Sequence, residues 1–150
     1  MKRVRGVAFE DVAPTLRDAC ILLDVDGTLL PDGGTQLMDQ TIAAARDLAT
    51  HNKVYLVSNG KDAGRVRRIA DTLDIPIAPA GVPAGKPGKA AASGVEGALL
   101  VVMGDKYLID GLFARNLGAR FILVERKRSG EERFFVRLSY FLDRVVSWLL

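Results

Sequence analysis

Four apolar runs punctuate the chain, and each ends in a polar turn. Ile21-Leu22-Leu23 leads into Asp24-Val25-Asp26-Gly27-Thr28, and Val54 to Val57 leads into Ser58-Asn59-Gly60. Leu99 to Met103 leads into Gly104-Asp105, and Phe121 to Val124 into a charged stretch. Runs without polar alternation suit strands buried on both faces, as in a parallel sheet covered by helices. A shorter run, Ile75-Pro76-Ile77-Ala78, predicts a fifth strand at an edge, because its proline has no N–H to give a ladder.

Helical patterns fill the gaps. Asp39 to Leu48 is alanine-rich, with Ile42, Ala45 and Leu48 on one face. Val66, Ile69, Ala70 and Leu73 form a second stripe at i, i+3, i+4 and i+7, and Leu108, Leu112 and Phe113 begin a third. Strand and helix alternating at this spacing predict an α/β fold: a mostly parallel, five-stranded, doubly wound sheet with helices on both faces. One domain over 1–150 is expected, ending in a basic linker and an amphipathic helix within 126–150.

Composition narrows the class. The chain is 49% hydrophobic and 26% charged, enough for a packed core. Its net charge of +3 is too small to argue for nucleic acid. The single cysteine, Cys20, excludes an intramolecular disulfide and a multi-thiolate zinc site, so a reducing, cytoplasmic setting is expected. No apolar run reaches the roughly 18–20 residues of a membrane span.

In an open parallel sheet, ligands bind outside the carboxyl ends of the strands, and that is where this chain puts its polar residues. Asp24, Asp26 and Thr28 follow the first strand, Ser58 and Asn59 the second, and Asp105 follows Leu99 to Met103. Lys86 lies in the Gly/Pro-rich loop ahead of that last run, with Lys89 as the alternative lysine. Carboxylates crowded together need a cation, and an all-oxygen set selects a hard one such as Mg²⁺. With a lysine and hydroxyls beside it, such a cluster suits a dianionic phosphoryl group. Asp24 is then the candidate nucleophile and Asp26 the candidate general acid and base. Gly27 lets the chain turn away sharply after them.

These residues resemble the haloacid dehalogenase (HAD) superfamily. Asp24-Val-Asp26-Gly-Thr28 is similar to its first motif. Ser58, Lys86-Pro87 and Gly104-Asp105-Lys-Tyr-Leu-Ile-Asp110 resemble the second, third and fourth, in the right order. The resemblance implies a Rossmann-like core and Mg²⁺-dependent phosphatase chemistry through a phospho-aspartate on Asp24. It implies Asp26 as acid/base, and Thr28, Ser58, Asn59 and Lys86 around the phosphoryl group. On the metal it implies Asp24, the Asp26 backbone carbonyl and Asp105, with Asp110 either an outer partner or an auxiliary ligand. The turn at Ser58-Asn59 followed by Arg65-Val66, and the fourth motif followed by Asn116, resemble the subclass IIIA branch that includes phosphatidylglycerophosphate phosphatases.

The spacings between motifs leave no room for a cap domain. They predict a site open to solvent, suited to a large or lipid-type phosphate monoester, or to a small one enclosed by a second copy of the chain. From Phe134 on, an apolar stripe faces away from Arg133, Arg137 and Arg144. That helix either packs on its own sheet or on a second subunit, or it rests peripherally on a membrane through 133–150. Arg65, Arg67 and Arg68 read as the wet face of their helix, or as contacts to an anionic substrate. A catalytically silent binding module and a phospho-accepting receiver are the competing classes. The intact acidic set argues against the first, and Asp26, which would hasten hydrolysis, against the second.

Overall fold

The computed structural model of the protein describes residues 6–58, 62–78, 99–129 and 134–149. Their order is α1 (Phe9–Val12), β1 (Ala19–Asp24), α2 (Asp39–His51), β2 (Lys53–Val57), α3 (Ala63–Leu73), β3 (Leu99–Gly104), a wide π-type turn (Tyr107–Gly111), α4 (Leu112–Leu117), β4 (Arg120–Leu123) and α5 (Phe134–Leu149). The four strands form one parallel sheet in the order β2-β1-β3-β4.

Alternation along the strands divides the core in two. Ile21, Leu23, Leu56, Val101 and Met103 face Ala45 and Leu48 of α2 and Ile69, Ala70 and Leu73 of α3. Leu22, Val57 and Val102 face Phe113 and Ala114 of α4. All six residues of β1 are buried, which is why its sequence carries no polar alternation.

The expected fifth strand shrinks to a single parallel bridge. Ile77 lies against Leu56, the Pro76 carbonyl accepts from the Leu56 amide, and the Ala78 amide donates to the Leu56 carbonyl. Pro76 has no N–H to extend the ladder. Val7 makes the matching bridge to Val124 beyond β4, so both edges of the four-stranded sheet are covered.

Strand order fixes where a ligand can bind. The chain leaves β1 toward β2 on one side and returns to β3 on the other, so the switch point lies between β1 and β3. The crevice of a doubly wound sheet opens there, at the carboxyl ends. In this sheet those ends are Asp24 and Gly104-Asp105.

Candidate metal and active site

Register brings the strand ends together. Leu23 pairs with Met103 and Asp24 with Val57, which sets Gly104 and Ser58 on either side of Asp24. The π-type turn then carries Asp110 back over Gly104, where its Oδ2 accepts from the Lys106 amide at 3.1 Å. One extra residue in a helical turn re-aims a side chain, and such turns gather at functional sites. Asp24, Asp105 and Asp110 thereby offer three oxygens within 4.8 Å of one another, near enough for one divalent cation to be shared among them.

Two glycines make the cluster possible. A Cβ on Gly27, whose φ is +80°, would lie 2.1 Å from Asp105 Oδ2; one on Gly104 would lie 2.2 Å from Asp110 Cγ. Either contact is far inside van der Waals range, so any side chain there would displace a carboxylate.

The cluster is buried rather than open: Asp24, Asp105 and Asp110 are 8%, 7% and 1% exposed. This corrects the expectation of an open edge. The covering element is α5, whose Tyr140 hydroxyl donates to Asp105 Oδ2. Arg126 and Lys106 lie over the Tyr140 ring, at 3.2 and 4.7 Å from its centroid. Asp143, also on α5, accepts from the amides of Tyr107 and Leu108 at 3.0 and 2.7 Å, two donors that start the π-type turn and have no partner within it. The segment linking β4 to α5 crosses the same edge, held by the Lys127 amide donating to the Gly27 carbonyl at 2.7 Å.

Electrostatics at the cluster favour binding of a positive charge. Burial, with the negative charge of Asp24 close by, raises the Asp105 carboxyl to about 8. Its Oδ1 is buried and accepts no hydrogen bond from the described residues. Burial and the Asp105 charge push the Tyr140 phenol upward, so it remains a donor. An orphaned buried oxygen beside two further carboxylates is the donor set a hard divalent cation satisfies.

The remaining candidates divide. Thr28, fully buried, donates to Asp24 Oδ2 at 3.2 Å. Ser58 is half-buried just past β2. Asn59, Lys86 and Lys89 lie outside the described residues. Asp26 is not a member of the acidic cluster; its Oδ1 accepts from Arg65 Nη2 at 2.7 Å and from the Gly33 amide at 3.1 Å. Asp110, whose role the sequence left open, is a full member.

Tyr140 and Asp143 escaped sequence reasoning, and Arg65 was read there alongside Arg67 and Arg68. Arg65 is 7% exposed, whereas Arg67 and Arg68 are on the wet face as expected. It sits on the inward arc with Val66 and Ile69, in a helix begun by the Asp62 side chain accepting from the Arg65 amide. Its Nε also donates to the Gly34 carbonyl at 2.6 Å, so Arg65 ties the turn after β1 to α3 and orients Asp26. If Asp26 serves as acid and base in ester hydrolysis, Arg65→Met is expected to lower kcat about 10- to 100-fold and shift the pH profile of kcat, with KM changed less than about threefold. Partial recovery in Arg65→Lys separates charge from packing. An unchanged pH profile would reduce Arg65 to a structural strut.

Comparison with protein-family models, with curated proteins and with solved structures returns no match to this chain. What stands on the structure is a parallel α/β sheet with a buried acidic triad able to hold a metal ion at its switch point.

Proposed function

We propose that this protein is a Mg²⁺-dependent phosphomonoester hydrolase of the haloacid dehalogenase type. The observation that carries the reading is the convergence of Asp24, Asp105 and Asp110 at the switch point, with Asp105 Oδ1 accepting no hydrogen bond from the described residues. The order of motifs supports it, from Asp24-Val-Asp26-Gly-Thr28 to Gly104-Asp105. Asp24, Asp105 and Asp110 would hold the cation, which when bound offsets their charge and that of the phosphoryl oxygens.

The chain's own residues supply the rest. An Asp24 carboxylate oxygen attacks phosphorus, the bond from phosphorus to the ester oxygen breaks, and Asp26 gives its proton to that leaving oxygen. Asp26 then takes a proton from water, whose oxygen attacks phosphorus and breaks the bond to Asp24, releasing inorganic phosphate. Thr28 steadies Asp24 through its 3.2 Å hydrogen bond, and Ser58, Asn59 and Lys86 bind the phosphoryl oxygens. With Tyr140 over the cluster, the phosphoryl end enters and the body of the substrate stays outside. The resemblance of the second and fourth motifs to the subclass IIIA branch supports a lipid-type monoester such as phosphatidylglycerophosphate as that substrate.

The test is release of inorganic phosphate from an aryl phosphate, then from a panel of lipid, sugar and nucleotide monoesters. Activity should vanish with EDTA and return with Mg²⁺. Phosphate release indifferent to EDTA, or none from any ester with Mg²⁺ present, would overturn the assignment.

A further inference from the structure

The last helix is turned opposite to the usual sense. Tyr140 and Asp143 point inward, at 9% and 8% exposure, while Phe134, Leu138, Phe141, Leu142 and Val145 point outward. At about 100° per residue the outward stripe is centred roughly opposite Tyr140 and Asp143. Phe141 and Leu142 are more than half exposed, an unusual state for neighbouring large apolar side chains.

Charge indicates what covers this face. Six of the 21 basic and three of the 18 acidic residues lie in 126–150, leaving fifteen of each elsewhere, so the whole net charge of +3 belongs to this segment. Asp143 is the only acid of α5, and it is buried against the π-type turn. The exposed charges of α5 are therefore Arg137 and Arg144, with Arg128 exposed on the approach to the helix. Among the described residues of α5 the exposed charges beside the apolar stripe are cationic, which matches an anionic, apolar-cored surface. A second copy of the chain would bring like charges together across the pairing.

We propose that the outward face of α5 docks on an anionic lipid bilayer, the helix lying in the interface with Phe141 and Leu142 inserted. No helix among the described residues is long and apolar enough to cross a membrane, so this is surface binding. The proposal does not depend on the hydrolase assignment, because the inward and outward faces of α5 use different residues.

The experiment is co-sedimentation of the full chain with vesicles of phosphatidylglycerol and phosphatidylcholine, against vesicles of phosphatidylcholine alone. Retention on the anionic vesicles should be at least about tenfold greater and should weaken with salt. Phe141→Glu with Leu142→Glu should abolish it, and Arg137→Glu should weaken it at least about fivefold, the worth of one basic contact. Both variants should keep the parent's thermal midpoint, since the side chains are exposed. No retention, or equal retention on both vesicle types, would overturn the proposal. So would a dimer seen by sedimentation velocity that Phe141→Glu dissolves, which would assign the face to a second copy.

Discussion

Asp24→Asn is expected to reduce phosphate release by at least about 1,000-fold while leaving the fold intact. The amide keeps the shape of the carboxylate, and its oxygen can still accept the Thr28 hydroxyl now 3.2 Å from Asp24. What it removes is the attacking oxygen and one of the charges that press on Asp105. Loss of activity should therefore come with an unchanged or higher thermal midpoint in metal-free buffer at pH 8. Turnover within tenfold of the parent would exclude Asp24 as the nucleophile, since an amide cannot form the acyl phosphate.

The second large effect is on stability, and it needs no substrate. Unfolded, the Asp105 carboxyl ionises near its ordinary value of about 3.9; folded and without metal, it does so near 8. Between these values the native state holds a proton that the unfolded chain has released. Stability contributed by this group is therefore present at low pH, falls as pH rises through the window, and levels off above about 8. Metal-free protein should lose on the order of 5–10 °C of thermal midpoint between pH 5 and pH 8. Saturating Mg²⁺ should restore most of it at pH 8, by binding the ionised form only. A midpoint that stays flat or rises over that window in EDTA, or that ignores Mg²⁺ at pH 8, would remove the cation from Asp24, Asp105 and Asp110.

Much of this architecture was legible in the sequence because the signals were local. Buried parallel strands announce themselves as unbroken apolar runs, and the polar residue after each run falls at the sheet's carboxyl edge. Asp24 and Asp105 each follow such a run, which places both at that edge. Arg65 was not legible in this way, because periodicity counts apolar positions, and a cation on the inward arc of α3 carries no mark distinguishing it from Arg67 or Arg68. Its partner Asp26 is 39 residues away. The orientation of α5 was hidden for a stronger reason. An amphipathic helix is expected to bury its apolar stripe, but here the groups needing partners are a buried carboxylate and two amides of the π-type turn. Tyr140 and Asp143 supply those bonds. Leaving buried polar groups unsatisfied costs about 1–3 kcal/mol each, enough to set which way a helix of this size turns.

The grip of Tyr140 and Asp143 bears on any shortened form of the molecule. A version ending before Phe134 would lose the phenol on Asp105 and the carboxylate that holds the Tyr107 and Leu108 amides, exposing the acidic cluster further to water. Such a deletion would damage the acidic cluster and strip the outward apolar face of α5 in one stroke, so its silence in either assay would say nothing about the other. Only point changes on one flank at a time can tell an anchor from a roof.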